Sequence, residues 1–237
     1  MFLKPRAPGK LLSRGLKILY EDRDILVVDK PAGLLTVGTP TEKFKTAEAI
    51  LTDYVRKGAP KSRRRIYVVH RLDQWTSGVM LFAKSAEAAQ RLKAGWKDTV
   101  KKYLAVVHGR PARKEGVITS YLAEDRAYEV RSTADSSRGK LSRTAYRVLK
   151  EAERFSLLEI NLLTGRKNQI RVHLADEGHP IVGDRKYGKN QEGYERLALH
   201  ARSISFEHPF SGRRMTFEAE VPKAFQRLIG HVRDRFD

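Results

Sequence analysis

Apolar residues in this chain occur in short runs, and none of the runs is longer than a single β-strand needs. Residues 25–28 and 79–83 are among the longest, far below the roughly 20 apolar residues of a membrane-spanning helix. Strand-length patterns predict strands at residues 17–20, 25–29, 66–69, 79–84, 103–107, 116–120, 143–149, 155–163, 197–206 and 215–221. Because these strands outnumber the helices and do not alternate regularly with them, we predict an α+β fold, with a mixed, largely antiparallel central sheet flanked by helices.

Helix signals occur at four places in the sequence. Thr46 and Ser85 can each cap the N-terminus of a helix, since both precede apolar residues at helical spacing. A third helix is predicted to open after Asn168, which is another good N-cap residue. A short last helix is predicted from Pro222 onward, because proline is favoured in a first turn. The first of these helices is expected to end near Gly58.

The length of 237 residues suits one full core, so one catalytic domain is predicted at residues 17–237. Residues 1–16 carry proline, glycine and cations without a sustained period, and are predicted to be a basic N-terminal tail without regular structure. No apolar stretch follows these cations, so a secretory signal is not expected. The polar segment 123–140 has two interpretations: a mobile loop that closes over a ligand, or a solvated hairpin.

The charge of the chain is strongly unbalanced. Lys and Arg number 47 against 28 Asp and Glu, which gives a net charge of +19. A polyanionic partner would explain a self-repulsion of this size, so nucleic acid is the predicted partner, with a solvated basic surface as the alternative. Clusters at residues 61–65 and at Arg213 and Arg214 suit contacts to phosphate. The absence of cysteine excludes disulfides and thiolate zinc sites and permits a reducing compartment, which favours the cytoplasm.

A dense group of polar side chains occurs at residues 70–78, which read HRLDQWTSG. The segment lies between two predicted strands, and loops held on a rigid scaffold often carry function. It places a carboxylate, a guanidinium, an imidazole and two hydroxyls on one loop. The residues alone also fit a simpler interpretation, in which Asp73 caps the loop, Gly78 supplies a positive φ and Arg71 is a surface cation.

A second group, at residues 164–174, reads TGRKNQIRVHL and spans the end of a predicted strand and the start of the third helix. With Asn168 as the N-cap, Arg171 falls in the first turn, where the helix dipole does not favour a cation. An arginine at this position is better explained if a carboxylate or a phosphate binds it. An exposed cation without a ligand is the alternative.

Together these segments resemble the RluA-type pseudouridine synthases. Residues 70–84, HRLDQWTSGVMLFAK, are similar to the family's HRLDxxTSGxxxxAK motif at every fixed position. The resemblance extends over residues 18–222 and includes VVDKPAGLL at 27–35, KKYLAVVHG at 101–109, TGRKNQIRVHL at 164–174 and GHPIVGDRKYG at 178–188. It implies the pseudouridine synthase fold in a stand-alone catalytic domain, without the S4-like RNA-binding module of many relatives.

The resemblance also implies three catalytic residues: Asp73 as the carboxylate, Tyr103 as the active-site tyrosine and Arg171 as the partner of Asp73. Pseudouridine formation breaks the bond from N1 to C1′ and forms one from C5 to C1′, without a redox step, so no cofactor and no metal are predicted. Asp73 could attack C1′, or could stabilise or deprotonate the developing cation, and these routes stay open. Arg171 would keep Asp73 ionised, while Tyr103 would stack on uracil and shuttle a proton.

The same resemblance implies a set of RNA contacts. Arg71 is similar to the residue that takes the place of the flipped base, and the other predicted contacts are His70, Thr76, Arg166, Asn168 and Gln169. His70 is expected to brace the loop rather than to react. Asn168 stands where the family usually has His, and Asp29 where it usually has Asn; the first change is expected to alter a contact to RNA or to a loop. The predicted partner is a stem-loop of ribosomal or transfer RNA. The protein is expected to act as a monomer, with no obligate protein partner and no association with a membrane.

Two other functions fit parts of the sequence. A catalytically inactive RNA-binding or ribosome-assembly protein would keep the fold and the charge, but it would not need Asp73, Tyr103 and Arg171 together. A metal-dependent nuclease could use Asp73, Asp184 and His173, but a site rich in arginine argues against a bound cation. The sequence therefore favours an RNA-modifying isomerase.

Overall fold

A computed structural model describes residues 9–59, 61–189 and 194–232 of the chain. Its strands are β1 (Lys17–Glu21), β2 (Ile25–Lys30), β3 (Tyr67–Val68), β4 (Ser77–Ala83), β5 (Val100–His108), β6 (Glu115–Glu124), β7 (Val130–Thr133), β8 (Lys140–Glu151), β9 (Phe155–Leu162), β10 (Leu199–Glu207) and β11 (Arg214–Glu218). Its helices are α1 (Ala47–Arg56), α2 (Ala86–Ala94), α3 (Gln169–Asp176) and α4 (Lys223–Ile229). The α+β class that the sequence predicts is confirmed.

The chain forms two compact units. The first consists of Met1–Val100 and Ala201–Ala219, and the second of Lys101–His200 and Glu220–Asp237, each as far as its residues are described. The chain passes from one unit to the other three times, after residues 100, 200 and 219, within the span that was predicted as one domain. The proposed domain limits of 17–237 stay a prediction, and the first eight residues of the predicted tail lie outside the described residues.

In the first unit, β2 pairs antiparallel with both β1 and β4, while β3 pairs with β4 and β11 with β10. Every residue of β4 is buried, which explains why this strand is an unbroken run of small and apolar residues rather than an alternating pattern. The core of the unit gathers apolar residues of β2, β4, α2, β10 and β11 and the residue that follows β11, namely Ile25, Val27, Val79, Leu81, Ala83, Ala88, Ala89, Leu92, Ile204, Phe206, Met215 and Ala219.

The helix starts predicted in the first unit are confirmed in detail. The hydroxyl of Thr46 accepts a hydrogen bond from the backbone nitrogen of Ala49, and that of Ser85 accepts one from Ala88, each at 3.1 Å. Each hydroxyl thus satisfies a backbone donor that the first helical turn leaves unpaired. Helix α1 ends at Arg56, close to the predicted end near Gly58.

The second unit contains a meander in the order β5, β9, β8, β6, β7, and each neighbouring pair is antiparallel. The polar segment 123–140 is a hairpin, because β7 pairs with the end of β6 from Tyr121 opposite Thr133 to Glu124 opposite Val130. The carboxylate of Asp125 closes its turn by accepting hydrogen bonds from two backbone nitrogens. Of the two interpretations of this segment, the hairpin is the one that the structure supports.

The prediction of a structureless tail is wrong for the part of it that is described. Ser13–Gly15 forms a 3₁₀ turn, and the backbone nitrogen of Leu12 donates to the carbonyl of Leu16 at 2.7 Å. Leu16 is fully buried, so an apolar residue attaches this segment to the first unit, which the scattered prolines and glycines did not indicate.

None of the helices in the described part of the chain combines the length and the apolar character that crossing a bilayer requires.

Candidate active site

The loop at residues 70–76, which carries Asp73, is fixed from below by a buried lysine. Lys30, at the end of β2, is fully buried, and its ammonium donates to three carbonyl oxygens. The acceptors are Pro31 at 2.9 Å, Leu34 at 2.7 Å and Gln74 at 3.0 Å. A buried ammonium is tolerated only where hydrogen bonds replace its lost hydration. This lysine therefore holds the loop against the turn that follows β2.

Further hydrogen bonds fix the backbone of the same loop. The hydroxyl of Thr36 donates to the carbonyl of Leu72 at 2.8 Å and accepts from the nitrogen of Leu72 at 3.2 Å. Gly33 and Gln74 are joined by two hydrogen bonds, one from the Gly33 nitrogen to the Gln74 carbonyl and one from the Gln74 amide to the Gly33 carbonyl. A loop fixed in this way can hold a side chain in one orientation without help from a ligand.

The four site residues predicted on this loop differ in exposure. Arg71 is exposed, as a residue that contacts RNA must be. Asp73 is half-buried, which suits a carboxylate that has to reach the ribose. Nε2 of His70 accepts a hydrogen bond from the nitrogen of Leu81 at 3.0 Å, so His70 braces the loop against β4 as expected. Thr76 is 2% exposed, and its hydroxyl has no hydrogen-bond partner among the described residues.

Tyr103 lies on β5 in the second unit, opposite Ile160 of β9, and is largely buried. Lys101 precedes it by two residues, so the two side chains leave the strand on the same face. Burial lowers the pKa of the Lys101 ammonium from its usual value. Lys101 is the first residue of the KKYLAVVHG segment, but it was not among the predicted site residues.

Arg171 is held by side chains of its own unit. Its Nε and Nη2 donate to the two carboxylate oxygens of Asp184 at 2.8 and 2.7 Å, which is a bidentate pair. Its Nη1 donates to Oδ1 of Asn168 at 3.1 Å, and the ring of Tyr187 lies 5.1 Å from the guanidinium. Asp184 is 1% exposed. Asp184 and Tyr187 belong to the GHPIVGDRKYG segment. Asp184 was considered only as a possible metal ligand, and Tyr187 was not predicted as a site residue.

The predicted capping role of Asn168 is wrong. Asn168 directly precedes α3, but its backbone is left-handed, with φ 53° and ψ 14°, and its side chain makes no capping hydrogen bond. The carbonyl oxygen of the side chain binds Arg171 instead, and the amide nitrogen donates to the hydroxyl of Tyr187 at 2.9 Å. A capping side chain needs an extended backbone at its own residue to reach the first turn, and the left-handed backbone directs this one elsewhere.

Gln169 is 2% exposed, and protein groups occupy all of its hydrogen-bonding capacity. Its Oε1 accepts from the Thr164 hydroxyl and the Arg166 nitrogen, and its Nε2 donates to the Arg143 carbonyl and the Thr144 hydroxyl. An amide side chain has no further donors or acceptors to offer. We therefore revise the prediction of an RNA contact: Gln169 shapes the loop that presents Arg166, whose own side chain is exposed.

Two of the three residues considered for a metal site are already bound by other groups of the protein. His173 is fully buried, its two ring nitrogens lie 2.9 and 3.0 Å from the hydroxyls of Thr144 and Ser120, and burial lowers the pKa of its imidazole. Asp184 is paired with Arg171. The set Asp73, Asp184 and His173 therefore does not provide the ligands that a nuclease cation would need.

A second possible set of ligands, Asp22, Asp24 and His208, lies in the first unit. Nδ1 of His208 accepts hydrogen bonds from the backbone nitrogens of Phe210 and Ser211, so Nε2 carries the proton. This Nε2 donates to the carboxylate of Asp22 at 3.1 Å. The Nε2 atom that would have to bind a metal therefore carries a hydrogen, and the cluster is explained as a hydrogen-bonded contact between two turns.

The three predicted catalytic residues lie in different units, with Asp73 in the first and Tyr103 and Arg171 in the second. Residues 24–176, which include all three, match the RNA pseudouridylate synthases. The chain belongs to the RNA pseudouridylate synthase family. Membership confirms the predicted activity, an isomerisation of uridine in RNA, and the predicted RNA partner. The pairing of Asp73 with Arg171 stays a prediction.

Curated members of the RNA pseudouridylate synthase family cover most of the chain. The uncharacterized RNA pseudouridine synthase YlyB of Bacillus subtilis is 35% identical over 222 residues, which are 92% of this chain and 73% of YlyB. The dual-specificity RNA pseudouridine synthase RluA of Vibrio cholerae is 37% identical over 224 residues, which are 91% of this chain and 88% of RluA.

Solved structures of pseudouridylate synthases share the fold. Human RNA pseudouridylate synthase domain containing 1 has a TM-score of 0.70 at 26% identity, over 90% of this chain and 85% of the human one. Human RNA pseudouridylate synthase domain containing 4 has a TM-score of 0.73 at 24% identity, over 89% and 92%. The predicted pseudouridine synthase fold is thus confirmed.

Proposed function

We propose that this chain converts uridines of ribosomal or transfer RNA to pseudouridine, with Asp73 as the catalytic carboxylate. The observation that carries the proposal is the fixed loop around Asp73, in which Lys30, Thr36 and Gly33 hold the backbone. A carboxylate that must meet C1′ of one ribose gains most from a rigid support, because misplacement by about 1 Å can cost about 100-fold in rate.

The remaining site residues have roles that follow from their chemistry. Arg171 would bind the carboxylate of Asp73 and keep it ionised, and Tyr103 would stack on uracil and move a proton. Asp73 would attack C1′, or stabilise or deprotonate the cation that forms when the bond to N1 breaks. Arg71, exposed beside Asp73, would occupy the position of the flipped uridine, because its planar guanidinium can stack as a base does.

RNA affinity is proposed to come from the basic surface of the chain itself. In the first unit, the segment that links α1 to β3 carries the exposed cations Lys57, Lys61, Arg63, Arg64 and Arg65 and no carboxylate. Such a segment contacts phosphates without reading sequence. We further propose that the enzyme acts as a monomer in the cytoplasm, since a chain without cysteine suits a reducing compartment.

Release of tritium from uridine C5 tests the reaction directly. Purified protein is incubated with ribosomal or transfer RNA labelled at C5, and the label that appears in water is measured. The wild type is expected to release label, because the new bond to C1′ replaces the hydrogen at C5. Tight binding to both RNAs without release would contradict the proposal and would indicate an inactive RNA-binding protein.

The basic segment is expected to set the salt dependence of binding. Each phosphate contact contributes about 0.7 to 0.9 to the slope of log K against log salt concentration. The double variant Arg63→Gln/Arg64→Gln should therefore lower that slope by about 1.5, as measured by fluorescence anisotropy over a series of salt concentrations. The control Lys93→Gln/Lys97→Gln makes the same charge change at exposed positions on and after α2. Equal slopes for the two variants would show that net charge alone is responsible.

A further inference from the structure

The guanidinium of Arg171 has a defined orientation before any RNA is present. It carries five N–H donors, of which Asp184 receives two and Asn168 one. In the proposed function the same guanidinium also binds the carboxylate of Asp73. The bidentate pair with Asp184 fixes one edge of the guanidinium and leaves Nη1 at the other edge. The contact with Asn168 supplies a second point of attachment.

Asn168 can make this contact because of its backbone. Its φ of 53° lies in the left-handed region, which Asn, Asp and His enter far more readily than other side chains. From this conformation the amide reaches one turn along α3 to Nη1 of Arg171, at 3.1 Å. The family residue at this position, His, tolerates the same backbone and also offers two ring nitrogens for hydrogen bonds.

The other end of the Asn168 amide is fixed by the protein as well. Its nitrogen donates to the hydroxyl of Tyr187, and the same hydroxyl accepts from the backbone nitrogen of Val130 at 3.3 Å. Tyr187 packs with Leu122, Val130 and Val172. Asn168 thus links Arg171 to the hairpin of β6 and β7 through the Tyr187 hydroxyl.

We propose that Asn168 is a positioning residue, which with Asp184 and Tyr187 fixes the plane of the Arg171 guanidinium, and that it is not a contact to RNA. The proposal rests on the proposed function, in which Arg171 binds Asp73. It replaces the expectation that Asn168 contacts RNA. Both polar ends of its side chain are occupied by protein groups in the arrangement just described.

Three variants test this role. Asn168→Gly removes the side chain without straining the left-handed backbone, Asn168→His restores the family residue, and Tyr187→Phe removes only the hydroxyl at the far end of the link. Asn161→Ala, a half-buried residue of β9 on the face opposite Ile160 and Tyr103, is the matched control for loss of an asparagine amide. For each variant, the single-turnover rate at saturating RNA and the Kd for RNA are measured separately.

Asn168→Gly should lower the single-turnover rate by about 10- to 100-fold, since misorientation of a positioned group has effects of this size. Its Kd should stay within about twofold of the wild type, because a group that contacts only protein contributes no binding contact. Asn168→His should have most of the wild-type rate. The rate of Tyr187→Phe should lie between those of Asn168→Gly and the wild type, and Asn161→Ala should have the wild-type rate and Kd.

Two results would overturn the proposal. A Kd at least tenfold weaker for Asn168→Gly with an unchanged rate would identify Asn168 as an RNA contact, and an unchanged rate together with an unchanged Kd would show that Arg171 needs no second attachment. A wild type that releases no tritium would instead contradict the proposed function itself. The two failures are therefore distinguishable in one set of measurements.

Discussion

Replacement of Asp73 by Asn is expected to abolish pseudouridine formation and to leave RNA affinity within about twofold of the wild type. The amide keeps the size of the carboxylate, but it can neither attack C1′ nor stabilise a positive charge there. Affinity should survive because RNA binding is dominated by phosphate contacts rather than by one group at the sugar. Tritium release and the Kd for RNA measure the two effects independently.

The control for this variant is Asp53→Asn, which removes an exposed carboxylate of α1 in the same unit. It makes the same change of net charge and should leave turnover unchanged. Residual activity of Asp73→Asn near the wild-type level would remove Asp73 from the reaction, and another carboxylate would have to be found.

A substitution of Ala for Gly78 is expected to lower the free energy of unfolding by about 2 to 5 kcal/mol, which combines positive-φ strain with overpacking. Gly78 has φ 113°, and a Cβ atom there would overlap the backbone of Ala201, 2.7 Å from its nitrogen. Both residues belong to the core of the first unit, where β4 has no exposed residue. Urea unfolding, monitored by circular dichroism, measures the loss.

Gly178→Ala separates the two causes. Gly178 has φ 79°, but no atom lies within 4 Å of the place where its Cβ would be. This variant should lose only the left-handed strain, about 1 to 2 kcal/mol. If Gly78→Ala were no less stable than Gly178→Ala, the backbone of Ala201 would have moved away at little cost, and the close approach would have no structural role.

Elements whose causes are local could be predicted from the sequence. Thr46 and Ser85 cap helices where predicted, because a cap needs only the hydroxyl and the backbone nitrogen three residues later. Strand β4 was predicted from a single apolar run. The short β7 was not predicted as a strand, because its residues Val130–Thr133 are mostly polar and are held by pairing with β6.

Contacts between distant segments could not be predicted. Nothing around Lys30 indicates that its ammonium binds a carbonyl 44 residues away, and the apolar strand before it gives no hint of a buried charge. For Asn168 the position was right but the role was wrong, since capping depends on the residue's own φ, which the sequence does not reveal. Gln169 looked like a polar residue of an exposed motif, but in the structure it is buried and bound by four protein groups.

Because its ammonium is buried, Lys30 can serve as a chemical probe for opening of the loop that carries Asp73. An amine-reactive reagent can acylate Lys30 only after the hydrogen bonds from its ammonium to three carbonyl oxygens have broken, because the side chain is fully buried. The labelling rate of this one lysine therefore reports how often the loop opens. If the labelling rate is equally low with and without RNA, the loop is ordered before substrate binds. If RNA lowers the rate, substrate binding itself closes the loop.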